Sequence, residues 1–136
     1  MNHLAIMTHV RNWFKAINDQ VDDKVLIEML SSKGFLLRFP DATLTDESSF
    51  RSWYKGVKQS FFDQNHIIRH LEINLDGDQA HLAVWVNWRA TTRPEGSSQS
   101  KVCDFDAMQE WEMIRENGHW VITRYDVVDI LDNLKH

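Results

Sequence analysis

Four polar residues carry the chemistry this sequence offers, because a strand reading places them among aromatic and aliphatic neighbours. Asp126, Arg124 and Gln109 fall on the same side of a hairpin as Phe105, Trp111, Met113 and Ile122, and Arg69 is the one charge on the apolar side of an earlier hairpin. Burial raises a carboxyl pKa and a nearby guanidinium lowers it, so Asp126 is the first candidate for a general base. Arg69 or Arg124 would then hold an enolate or carboxylate oxygen. The alternative is a closed network, Arg to Asp with Gln alongside, because a buried polar group left unpaired is costly.

The elements that must position these groups follow from periodicity. Ile6, Val10, Trp13, Phe14, Ile17 and Val21 recur at helical spacing, with Arg11, Asn12, Lys15 and Asn18 facing away. Asp22 and Asp23 cap a shorter helix through Leu30, ended near Gly34. Phe35 to Phe39 reads as a short strand stopped by Pro40, and residues 41–45 read as a turn. Thr45 or Asp46 caps a third helix whose apolar face is Phe50, Trp53, Tyr54, Val57 and Phe61.

Two long hairpins follow. The first runs from His66 to Thr92 around Gly77-Asp78; an unbroken register pairs Leu75 with Ala80, Leu71 with Val84, Arg69 with Val86 and Ile67 with Trp88. That puts Ile67, Arg69 and Leu71 on the core face, and His66, Ile68, His70 and Trp85 outside. The second runs from Val102 to about Ile130 around Asn117-Gly118, setting Met113 against Ile122, Trp111 against Arg124 and Gln109 against Asp126. Residues 93–101, rich in Gly, Ser and Pro, form a mobile connection between the hairpins, and Leu131 to His136 are expected to fray.

Bulk properties narrow the function classes. The 136 residues amount to one domain, 1–136, and 5 Gly with 2 Pro leave no room for long linkers. A net charge of −5 without basic runs argues against nucleic acid and anionic lipid. The N-terminus does not read as a signal peptide and no apolar run reaches bilayer length, so a cytoplasmic location is expected. The single Cys103 excludes an internal disulfide or a multi-thiolate metal site, and reads as a small buried hydrophobe. No other residues show metal-ligand spacing, and no metal or cofactor is expected.

The order of elements, with Phe39-Pro40-Asp41, the helical Phe50-Arg51-Ser52-Trp53-Tyr54, Phe61-Phe62-Asp63 leading into His66, the turn at residues 76–80 and Trp120 to Tyr125, resembles the NTF2-like superfamily, also called SnoaL-like or ketosteroid-isomerase-like. The resemblance implies an α+β fold in which three N-terminal helices pack on a curved antiparallel sheet, forming a cone with an apolar cavity and often a dimer through the outer sheet. The run Leu82 to Val86, apolar on both sides, independently supports a homodimer, since an antiparallel strand with one wet face should alternate. A cavity of this kind would be lined by Phe39, Trp53, Tyr54, Trp88 and Trp111, together with Trp13, Phe14, Phe61 and Met113, and its polar members would be Arg69, Gln109, Arg124 and Asp126. Such a pocket suits a small apolar ligand.

His66 is the second catalytic candidate. The scytalone-dehydratase-like branch of this superfamily carries a catalytic histidine at the start of the strand after the third helix, which implies a pocket role for His66. The unbroken register aims it outward, and only a bulge near Asn65 would turn it in. Steroid isomerases carry an Asp before the Pro where this chain has Phe39, and their second acid falls at Trp111, so that isomerisation is not expected. Two functions remain: a cofactor-free lyase, isomerase or cyclase acting on a small apolar substrate, or a non-catalytic binding or assembly module like the small subunits of ring-hydroxylating dioxygenases.

Overall fold

The computed structural model of the chain describes residues 2–94, 96 and 98–135. Helix α1, Asn2–Asn18, buries Ile6, Val10, Trp13, Phe14 and Ile17 along one stripe. It stops three residues before Val21, where Gln20 takes a positive φ of 51° and its N–H turns back to the Ile17 carbonyl. Asp22 caps α2, Asp23–Ile27, by accepting from the Lys24 N–H. This helix is shorter than expected because Leu30 leaves it to bridge to Ile122.

Strand β1, Leu36–Phe39, pairs with β2, Ala42–Leu44, so the segment read as a turn is a turn plus a short strand. Helix α3, Glu47–Ser60, begins with a capping box in which the Asp46 carboxylate accepts from the Ser49 N–H and the Ser49 hydroxyl accepts from the Asp46 N–H. It buries Phe50 and Tyr54. The chain then passes without a loop into β3, Phe61–Asp76, followed by β4, Gln79–Thr92, β5, Lys101–Glu116, and β6, His119–Asp132.

These strands form one sheet in the order β2-β1-β6-β5-β4-β3, antiparallel except where β1 runs parallel to β6. Both hairpin turns are two-residue loops. Asn117 and Gly118 at φ 52° and 81° fit type I′, and Gly77 at 60° supplies the positive φ of the other. The α+β cone with three helices on a curved sheet is therefore as expected.

The register of the hairpins is not. Close to each turn the pairing agrees with the unbroken reading: Leu75 with Ala80, Leu71 with Val84, Met113 with Ile122. Farther out, β3 carries an extra residue at Arg69 and another between Phe62 and Asn65, where Asp63 adopts φ 51°. Strand β6 carries extra residues at Thr123 and Val128. Each bulge bends its strand and exchanges the two faces beyond it. The β4–β5 pair between them is regular throughout.

The exchange corrects several placements. His66 now pairs with Trp88 and Ile68 with Val86, so both point inward, while Ile67 and Arg69 are exposed on the outer side. Trp111 pairs with Tyr125 and Gln109 with Val127, so Tyr125 is inward, and Arg124 and Asp126 join Glu112 and Glu110 on the outer face. The expected inward bulge exists, but the one that re-aims His66 is at Arg69. The bulge by Asp63 instead returns Phe61 to the inner side, against Trp88.

At the C-terminus, β6 extends to Asp132, and the Asn133 backbone N–H donates to the Asp104 carbonyl while its side-chain amide donates to the Asp104 carboxylate, so Leu131 to Asn133 are paired and not frayed. Met1 and His136, and Glu95 and Ser97 of the connection between the hairpins, lie outside the described residues. Among the described residues no helix is long and apolar enough to cross a membrane.

Candidate functional site

The four polar residues expected to converge do not form one site: Arg124 and Asp126 pair with each other, while Arg69 and Gln109 lie apart from them. Asp126 is held on the outer face between two arginines, accepting from Arg124 Nε at 2.7 Å and lying 3.5 Å from Arg38 Nε, which the parallel β1–β6 pairing brings alongside. Arg69 stands in its bulge at the surface. Gln109 alone is buried on the inner face, where its Oε1 accepts from Trp111 Nε1 at 2.9 Å.

The aromatic residues assigned to a cavity wall contact one another. Trp111 lies against Tyr125 (4.9 Å between ring centres), Phe14 (5.7 Å) and Trp13 (6.3 Å). Phe39 stacks on Trp53 at 4.2 Å, and the Tyr54 hydroxyl donates to the Val21 carbonyl at 2.7 Å. Tyr125, which the unbroken register put outside, is fully enclosed by these rings; burial holds its hydroxyl un-ionised, against the opposing influence of Gln109 and Trp13. The centre of the cone is thus packed with rings.

The hollow that reaches His66 lies beside this core, between α1 and β3. It has a volume of about 380 Å³. One wall is the α1 stripe Met7, Arg11, Phe14 and Asn18, spaced by three or four residues; the other is His66, Ile68 and Leu71, brought onto one face by the bulge at Arg69. The His66 ring stacks on Phe14 at 4.9 Å, and its Nδ1 is 2.6 Å from Asn18 Oδ1. The Trp88 ring, 6.4 Å away, backs it, and Trp88 Nε1 donates to Gln64 Oε1.

This environment determines the state of the histidine. An amide oxygen only accepts, so Nδ1 carries the proton and the lone pair resides on Nε2. Burial pushes the His66 pKa down to about 3, because the imidazolium would lose its hydration and Asn18 offers no negative charge to replace it. His66 is therefore a neutral hydrogen-bond acceptor across the physiological range. Cys103 is half-buried in β5, and burial pushes its thiol pKa up, away from the reactive thiolate. Among the described residues no group of three or more His, Cys, Asp or Glu side chains is placed to hold a metal ion.

Of the residues singled out in the sequence, the fold brings together Arg124 with Asp126, Gln109 with Trp111, Phe39 with Trp53, and His66 with Trp88. Asn18 and Tyr125 were missed. Asn18 had looked solvent-facing, although Met7, Arg11, Phe14 and Asn18 form a second 4,3,4 stripe on the same helix.

The sequence model of the SnoaL-like domain family matches residues 3–126. No curated protein matches the chain. Among solved structures, the fold is similar to a protein provisionally assigned as an aromatic ring hydroxylase from Novosphingobium aromaticivorans, at a TM-score of 0.81 and 14% identity over 96% of this chain and 92% of that one. It is similar to a type 2 hexachlorocyclohexane dehydrochlorinase, at 0.81 and 11% over 99% and 90%. A protein from N. aromaticivorans provisionally assigned as a scytalone dehydratase gives 0.76 and 12% over 99% and 89%. At these identities the likeness is one of fold.

Proposed function

Because the chain belongs to the SnoaL-like domain family, we propose that it binds a small apolar molecule in the groove between α1 and β3, with His66 as its polar contact. The observation that carries this reading is the placement of the His66 ring, stacked on Phe14 and tied to Asn18 at the wall of the groove. A neutral imidazole with Nε2 free to accept, set among Phe14, Ile68 and Leu71, suits a ligand that presents one O–H or N–H donor on an apolar body. The test is an NMR titration of the full chain with 2-naphthol and with naphthalene. Naphthol should shift the resonances of His66, Phe14, Ile68 and Leu71 together, and His66→Gln should reduce its affinity toward that of naphthalene. Shifts confined to other regions of the fold would contradict the proposal.

The second reading is catalysis: cofactor-free proton transfer in a lyase, isomerase or cyclase. The neutral state of His66 favours it, since a general base must be unprotonated at rest, whereas a pKa far below neutrality makes that base weak. Asp126, paired with Arg124 and Arg38 on the other side of the sheet, has no part in this site.

The reading extends to a homodimer through the outer face of the sheet. Ile67 (40% exposed), Trp85 (45%) and Met108 (46%) lie in neighbouring rows there, with Ile67 where Ile68 had been expected. Light scattering should give twice the chain mass, and Trp85→Glu should return it to one. A wild-type monomer at high micromolar concentration would remove this part of the account.

A further inference from the structure

The groove between α1 and β3 differs from the neighbouring hollows in its charge. The largest of those, about 640 Å³, is bordered by Glu28, Asp46, Glu47 and Glu116 as well as Lys33, and the hollow on the outer sheet by Glu110, Glu112 and Asp126 as well as Arg124. The α1/β3 groove has no carboxylate in its lining. Its charged residues are Arg11 and Lys15, in a protein of net charge −5. Lys15 is already paired with Asp19 at 2.7 Å. Arg11 is exposed, and among the described residues its side chain makes no ion pair and no hydrogen bond.

We propose that this groove takes a small amphipathic carboxylate, with its anionic group on Arg11, its apolar body along Phe14, Ile68 and Leu71, and its far end at His66. The inference rests on the ligand-binding reading above and adds the class of ligand. Arg11 and Asn18 are two helical turns apart, about 10 Å along the axis, so the carboxylate and the group facing His66 stand at opposite ends of the ligand. That separation matters. The Nε2 lone pair would repel a carboxylate placed beside it, whereas the guanidinium matches the two carboxylate oxygens with a planar pair of N–H donors. A single unpaired arginine suits a monoanion; a phosphate dianion would present three acceptor oxygens to one fork. The volume of about 380 Å³ lies at the small end of ligand sites, which run from roughly 300 to 1,000 Å³.

The test compares 4-phenylbutyrate, its neutral analogue 4-phenylbutanamide, and 3-phenylpropyl phosphate on the full chain, by calorimetric titration with binding located through the His66 and Ile68 resonances. The expected result is that the carboxylate binds about tenfold more tightly than the amide, the scale of one charge-assisted hydrogen-bonded pair, and more tightly than the phosphate. Arg11→Gln, a surface change that leaves the core untouched, should bring the carboxylate down to the affinity of the amide. Equal affinities for acid and amide, tighter binding of the phosphate, or a preference that survives Arg11→Gln would overturn the carboxylate inference while leaving the groove as a ligand site. If no probe perturbs His66 or Ile68, both the ligand site and the ligand class are overturned.

Discussion

A Trp111→Ala variant is expected to lose about 4–8 kcal/mol of stability. Truncating a fully buried tryptophan costs about 3–5 kcal/mol, because the surrounding rings collapse only partly into the vacated volume. Trp111 is 1% exposed and meets Trp13, Phe14 and Tyr125 on different sides. Its removal also leaves the buried Gln109 carbonyl without its donor, worth about 1–3 kcal/mol more. Domains of this size have about 5–15 kcal/mol in total, so the variant should lose from about a quarter of its stability to all of it, and its urea midpoint should fall in the same proportion. Trp111→Phe keeps most of the packing and should lose no more than about half as much. A cone that held an open ligand cavity at its centre would tolerate the alanine with a loss below about 2 kcal/mol, and that outcome would return the site to the cone interior.

The second large effect is acid destabilisation through His66. Its folded pKa of about 3 lies below the ordinary value of 6.5, so between these limits the unfolded chain takes up a proton that the folded chain refuses. Stability therefore falls as pH is lowered from 6.5 toward 3, by about 1.4 kcal/mol per pH unit from this group, and above 6.5 the group contributes no slope. Urea unfolding at pH 7 and pH 4 should show a loss in the wild type that exceeds the loss in His66→Gln by about 3 kcal/mol. Carboxylates protonate in the same range, but they are common to both proteins and cancel in the difference. Equal losses would place the imidazole in water.

The contrast between what sequence reading found and what it missed has one physical origin. Helix faces follow from a 3,4 pattern that tolerates small errors, so Ile6, Val10, Trp13, Phe14 and Ile17 were correctly grouped. Hairpin turns carry local chemistry, and Gly77 and Asn117-Gly118 set the register near each turn correctly. Strand faces have period two, and one extra residue inverts everything beyond it. Four extra residues, in β3 and β6, separate the expected sheet from the real one, and they fall where the supposed site was drawn.

A signal was present in the sequence. Arg69 was the one charge on an otherwise apolar face, and Arg124 and Asp126 fell on the core face while Tyr125 and Val127 fell outside. In each case a single inserted residue restores an apolar inner face: Ile68 enters as Arg69 leaves, and Tyr125 enters as Arg124 and Asp126 leave. Charges on a predicted core face are thus better read as evidence of a bulge than as a buried network. Asn18 carried no comparable signal. Its role depends on which helix face meets β3, and that is set by the bulged edge of the sheet.

His66 joins the bulged register to the groove, and the most direct measurement is a pH titration of its ring nitrogens and Hε1 by NMR in the 136-residue chain. An inward ring bonded to Asn18 should stay neutral from pH 8 to pH 5, with the proton fixed on Nδ1 and no inflection in that interval. A midpoint near 6.5 with both tautomers exchanging would show that His66 lies in solvent on the outer face of the sheet, and would contradict the bulged register, the groove and the ligand site together.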